Sequence, residues 1–128
     1  MATVLVVDDD AGVRAVADLV LTLTGNEVCD AANGLEALAV LSKRPVDLLI
    51  LDLEMPVMDG WTTFQEARRE GYDGPILILS GHGAAKAARE LGAEASVAKP
   101  FDPEELGDKA LRLLADGRRD GANGNQDG

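Results

Sequence analysis

Short apolar runs alternate along this chain with stretches in which apolar residues recur at helical spacing. The clearest run is Leu48-Leu49-Ile50-Leu51-Asp52, four apolar residues leading into one carboxylate before Pro56 and Asp59-Gly60 break the chain. A continuous apolar run closed by turn residues reads as a strand buried on both faces, as in a parallel sheet. We extend this strand back over 46–52. Thr3–Val7 reads the same way and ends in Asp8-Asp9-Asp10; 76–79 is opened by Pro75 and stops at Ser80. Glu27–Ala31 and Ala95–Ala98 are weaker strands, the second running into Lys99-Pro100.

Between them lie the helices. After the first strand, Val13, Val16, Ala17, Val20 and Leu23 share one face, with Asp10 as cap and Gly25-Asn26 as stop. Asn33 caps a helix over Gly34–Lys43 with Leu35, Leu38 and Leu41 as its apolar positions, and Pro45 closes that connection. Asp59-Gly60 starts a helix that turns Trp61, Phe64 and Ala67 inward and ends near Gly71. Gly81-His82-Gly83 is a loop, followed by a short Ala-rich helix over Ala84–Leu91 that Gly92 ends. Asp102-Pro103-Glu104-Glu105 combines a cap, a proline at the first helical position and acids against the positive end of the dipole. Leu106, Ala110, Leu113 and Leu114 are that helix's buried face.

The pattern is a βα unit repeated five times, which implies an α/β fold: a parallel sheet, helices on both faces and right-handed crossovers. Residues 1–115 form one domain. From Asp116 on, one Ala is the only apolar side chain, so 116–128 is expected to be a disordered tail or the start of a linker.

Composition narrows this further. A chain of 128 residues makes one core, burying roughly two-thirds of the surface its unfolded form exposes. Aromatics are only 3%, so that core is aliphatic. The net charge of −11 argues against nucleic-acid or anionic-membrane partners. A single cysteine, Cys29, allows no internal disulfide or zinc site and reads as a small core residue. No apolar run approaches the ~18 residues of a span and no charged region leads an apolar one at the N-terminus, so a cytoplasmic placement is expected.

The chemistry gathers at strand ends. Asp8-Asp9 follow the first strand, Asp52 ends the third, Ser80 the fourth, and Lys99 follows the fifth. Parallel strands bring these ends to one edge of the sheet, where open α/β folds bind their ligands. Three carboxylates in one place repel each other unless a cation sits among them. A hard divalent ion with oxygen ligands fits, Mg²⁺ in particular, since it takes one or two carboxylates plus a phosphate oxygen. Asp52 is then a candidate phosphoryl-accepting nucleophile, with Lys99 as a second cation and the Ser80 hydroxyl as a donor. Taken singly each residue has a plainer reading: a solvated helix start, a turn Ser, a surface Lys. Their joint placement is what carries the inference. Gly81-His82-Gly83 has no third Gly in register for a dinucleotide loop, and His82 is the chain's only His.

Val-Leu-Val-Val-Asp-Asp, Leu-Asp-Leu-Glu-Met-Pro-Val-Met-Asp-Gly, Leu-Ser-Gly and Lys-Pro-Phe, in this order, resemble the receiver domain of two-component response regulators over residues 3–115. The resemblance implies a flavodoxin-like sheet in the order 2-1-3-4-5. It also implies phosphorylation of Asp52 by a phosphohistidine on a sensor histidine kinase or histidine phosphotransfer protein, with a downstream protein target. Asp9 would ligate Mg²⁺ directly, Asp8 mainly through water, and the Glu54 carbonyl would be a third protein ligand. Ser80 and Lys99 would contact phosphoryl oxygens, and the Lys99-Pro100 bond would be cis. Such a chain is a phosphoacceptor that assists its own phosphorylation and dephosphorylation, not a conventional enzyme.

Three departures from the family pattern stand out. Receivers usually carry an aromatic three residues before the Lys; here it is Ser96, which removes an aromatic rotamer switch. The segment from Ser80 to Lys99 is about three residues shorter than is typical, nearly one turn of the Ala84–Leu91 helix. Glu54 and His82 hold the positions that flank the phosphoryl group and tune its lifetime, Glu54 by hindering or orienting the attacking water. The alternatives are a receiver-like interaction module that does not switch and an aspartyl-phosphate hydrolase.

Overall fold

A computed structural model describes the backbone of residues 1–127 and the side chains of residues 1–116. The strands are β1 (Thr3–Val7), β2 (Glu27–Ala31), β3 (Leu48–Asp52), β4 (Ile76–Ser80) and β5 (Ala95–Ala98). The helices are α1 (Ala11–Leu23), α2 (Gly34–Lys43), α3 (Gly60–Arg69), α4 (Ala84–Leu91) and α5 (Pro103–Asp127). All strands are parallel and the sheet order is β2-β1-β3-β4-β5. The expectation for 116–128 lies outside the described side chains apart from Asp116.

Alternate residues of each strand feed two separate cores, as the period of a pleated strand requires. Leu5, Val7, Leu49, Leu51, Ile76 and Ile78 meet Ala37 of α2, Phe64 and Ala67 of α3 and Ala87 and Ala88 of α4. Val4, Val6, Leu48, Ile50, Leu77 and Leu79 meet Ala17 and Leu21 of α1 and Leu106, Ala110 and Leu114 of α5. Small alanines on the helices let them lie close against the bulky aliphatic sheet. Edge strand β2 shows Glu27 and Asp30 to solvent, charges that discourage edge-to-edge pairing.

Side chains cap four of the helices. Asp10 accepts from the amides of Gly12 and Val13, Asn33 from Glu36 and Asp59 from Thr62. Glu36 reaches back to the Ala32 amide at 2.8 Å. Asp102 accepts from the Glu104 amide at 2.9 Å as α5 begins. The exception is α4, whose cap residue Gly83 is left-handed at φ 59° and offers no side chain; Gly92 at its other end is left-handed too.

Several expected details are corrected. On α1, Val16 and Leu23 are exposed, and Leu21 joins Ala17 in the core instead. The stripe that meets the sheet runs Ala17–Leu21, and Val16 lies about 100° round the helix from it. Trp61 is 38% exposed, because α3 buries Gly60, Thr63, Phe64 and Ala67 and Trp61 sits beside that stripe. Leu35 is likewise exposed, and Ala37 takes its place. The third strand begins at Leu48, two residues later than expected, because the Asp47 carboxylate turns back to accept from the Thr3 amide at 2.8 Å. Cys29 is free and half-buried against the core.

Candidate functional site

The carboxyl edge of the sheet holds the polar residues in place through the backbone. The Asp8 amide extends the β1–β2 ladder by donating to the Ala31 carbonyl at 3.1 Å. The Leu53 amide donates to the Leu79 carbonyl at 3.1 Å and the Lys99 amide to the Ser80 carbonyl at 2.9 Å. The chain then turns through a cis Lys99-Pro100 bond, as expected.

Asp8 and Asp52 are buried, and Asp9 is exposed at the rim. One carboxylate oxygen from each of Asp8, Asp9 and Asp52 lies within 4.8 Å of the others. Lys99 Nζ bridges Asp8 Oδ2 at 2.8 Å and Asp52 Oδ1 at 3.1 Å. The second Asp8 oxygen accepts from the Asp10 amide at 2.9 Å, and Asp52 Oδ1 also accepts from the Glu54 amide at 3.3 Å. Asp52 Oδ2 is buried with no hydrogen-bond partner among the described residues. Such an atom is costly unless something else meets it. An all-oxygen donor set with a buried, uncompensated carboxylate oxygen fits a hard divalent cation.

Burial pushes the Asp52 carboxyl up to about 6, and the neighbouring Asp8 charge adds to it against the pull of Lys99 and the Glu54 amide. Burial works against the Lys99 ammonium, but its hydrogen bonds to Asp8 and Asp52 outweigh this and hold its pKa above the usual lysine value.

On the other side of the rim, Ser80 is buried and its hydroxyl donates to Glu54 Oε2 at 2.7 Å. The Gly81 amide donates to Glu54 Oε1 at 3.1 Å. His82 is exposed, and its backbone rather than its ring meets Ser80: its amide donates to Oγ at 3.1 Å. Ser96 lies half-buried in β5, and its carbonyl accepts from Lys109 Nζ at 2.7 Å. The structure thus brings Asp8, Asp9, Asp52 and Lys99 together and ties Ser80 and Glu54 to each other. Ser96 contributes no side-chain hydrogen bond to this group.

Two contributors escaped the sequence reading. Arg14 reaches back one turn to donate to the Asp8 carbonyl at 2.6 Å, while its Nε faces Asp30 at 3.7 Å. The signal was present as a basic residue just inside a helix that follows an acidic run. Gly60 is the other. A Cβ there would overlap the Asp52 carbonyl and Leu53 Cα, so only glycine lets α3 start this close to the end of β3. Val57, in the loop between them, is left-handed at φ 71°, a conformation that β-branched residues resist.

Comparison with known proteins agrees with this geometry. A probable transcriptional regulator, ycf27, of Pyropia yezoensis is 43% identical over 106 residues, covering 80% of this chain and 43% of the relative. This chain therefore spans less than half the length of that relative. Sporulation initiation phosphotransferase F of Bacillus subtilis is 33% identical over 114 residues, covering 87% of this chain and 92% of the relative. Among solved structures, the response regulator protein TrrA of Thermotoga maritima, in complex with Mg²⁺ and BeF, superposes with a TM-score of 0.79. It is 33% identical, with 88% of this chain and 99% of that one covered. The profile of the response regulator receiver domain matches residues 4–111. The chain belongs to the response regulator receiver domain family of two-component signalling.

Proposed function

We propose that this receiver takes a phosphoryl group onto Asp52 from a phosphohistidine of a sensor histidine kinase or histidine phosphotransfer protein. The observation that carries the reading is Asp52 itself: Oδ1 is held by Lys99 and the Glu54 amide, while Oδ2 is buried and unpartnered. One oxygen is thereby held in position and the other lacks a partner until a cation or an incoming group meets it. A carboxylate oxygen of Asp52 forms the new O–P bond as the P–N bond breaks, and the electron pair returns to the imidazole nitrogen, which takes up a proton.

Asp8, Asp9, Asp52 and the Glu54 carbonyl would hold Mg²⁺, which supplies positive charge against the phosphoryl oxygens. Lys99 supplies the protein's own cation beside Asp52, already desolvated and aimed. Next to it opens a hollow of about 450 Å³ lined by Val13, Val16, Phe101 and Pro103, apolar enough to seat a protein donor. The output is a changed affinity for a downstream protein or onward transfer of the group; the chain acts as a phosphoacceptor rather than a turnover enzyme. It works in the cytoplasm in this reading, consistent with the absence among the described residues of any helix long and apolar enough to cross a membrane.

Incubation with Mg²⁺ and a small phosphodonor is the test. The wild type should gain one phosphoryl mass and Asp52→Asn none; equal gain, or none in the wild type, refutes the reading. Ser96, in place of the family's usual aromatic, favours a second reading, a receiver-fold module that binds its partner without switching. Partner affinity that is the same with and without beryllofluoride would support that one.

A further inference from the structure

The end of β4 offers two hydrogen-bond donors in succession, the Ser80 hydroxyl and the Gly81 amide, and both are spent on the two oxygens of one side chain. Ser80 Oγ lies 2.7 Å from Glu54 Oε2, and the Gly81 nitrogen 3.1 Å from Oε1. A hydroxyl has a single proton to give. The His82 carbonyl competes for it at 2.9 Å, but the carboxylate is nearer and charged, so the proton goes to Glu54. Ser80 is only 1% exposed, so its hydroxyl needs a partner inside the protein. Glu54 itself is exposed, and its amide stays pinned to Asp52 Oδ1 at 3.3 Å. Its root is fixed beside the acceptor while its tip has open solvent to swing into.

We propose that the Glu54 carboxylate is a resident anion, seated on the donors that would otherwise hold incoming phosphoryl oxygens, and that the acceptor site loads only as Glu54 swings away. The inference rests on the phosphoacceptor reading above and adds a gate to it. Because a carboxylate and a phosphoryl group ask the same thing of Ser80 and Gly81, one must leave for the other to bind. Apparent affinity for a phosphoryl mimic is then reduced by the fraction of time the donors are free. Glu54 thus acts as a positioning residue that holds the loop after β4 in one arrangement while the site is empty.

The test is a titration of wild type, Glu54→Gln and Glu54→Ala with beryllofluoride in the presence of Mg²⁺, following the Gly81 amide resonance. In the ligand-free proteins, that resonance should move in Glu54→Ala. If the donors are free about one-tenth of the time, Glu54→Ala should bind beryllofluoride roughly tenfold tighter than wild type. Glu54→Gln keeps an acceptor oxygen but not the charge, so it should fall between the two. A Gly81 amide that is unmoved in Glu54→Ala, or an affinity within about twofold of wild type, overturns the gate. So does a Gln variant equal to Ala, which would mean that net charge alone explains the gain. A wild type that takes up neither beryllofluoride nor a phosphoryl group would sink the acceptor reading instead. Even then the ligand-free Gly81 resonance would decide whether Glu54 occupies the donors.

Discussion

Asp52 and Lys99 meet at one ion pair, yet the strands that deliver them are built to different standards. Every residue of β3 is buried, and the strand lies between β1 and β4 at the centre of the sheet. In β5, at the edge, only Val97 is buried and the strand is four residues long. The helices repeat the contrast. Asp10 and Asp59 clasp the first turns of α1 and α3, whereas α4 begins and ends on left-handed glycines with no side chain across its first turn. The side that carries Asp52 is a fully buried central strand flanked by side-chain-capped helices, and the side that carries Lys99 is a short edge strand behind a helix without a side-chain cap. Elements that move in regulation are drawn from the low-stability end of a fold, and α4 with β5 has that character here.

Substitutions can sharpen or break this contrast. The largest effect is expected at Ile50, fully buried in the middle of β3. Ile50→Ala should cost about 3–4 kcal/mol in chemical denaturation, and a cost below 1 kcal/mol would show that the centre is no firmer than the edge. The next effect depends on pH and lies on the acid-rich side. Burial, reinforced by a hydrogen bond to Asp30 and its charge and opposed by Arg14, pushes Asp18 up to about 7 from 3.8. Between those values the folded chain keeps a proton the unfolded chain has lost, so this group's contribution to stability falls as pH rises from about 4 to about 7. Thermal melts across that range should show a flatter pH dependence for Asp18→Asn than for wild type; parallel slopes would contradict it.

On the softer side, Ala88→Gly in α4 should cost about 1 kcal/mol from helix propensity, plus part of a small buried contact. Hydrogen exchange should show α4 amides opening far more readily than those of β3, in wild type and variant alike. The smallest effect is a gain. Val57→Asn puts a residue that tolerates the left-handed region where valine does not, and should raise stability by up to about 1 kcal/mol. A lower melting temperature would mean that the Val57 side chain does more than suffer its backbone.

Strand ends were legible in the sequence because chemistry there depends on local order. An apolar run, then a carboxylate, then a turn puts Asp52 at the edge whatever surrounds it, and the same logic located Asp8, Ser80 and Lys99. The helix limits of α2 and α4 followed from Asn33 and from Gly92 in the same local way. What the sequence could not show is which face of an apolar helix wins. Val16, Leu23 and Trp61 are as hydrophobic as the residues that replaced them in the core, and the choice is made by the sheet's position. The grip of Glu54 on Ser80 and Gly81 was hidden for a related reason. It joins residues 26 and 27 positions apart through a side chain that reads as exposed loop.

The glycine-bracketed α4 has a consequence for where the chain tolerates change. It shows Lys86, Arg89 and Glu90 to the outside and meets the core through Ala87, Ala88 and Leu91, so its outer surface can be rewritten without disturbing the pocket. The outer face of α4 and the acidic pocket are thereby uncoupled: a change of charge at Lys86, Arg89 or Glu90 leaves the contacts among Asp8, Asp52 and Lys99 as they are.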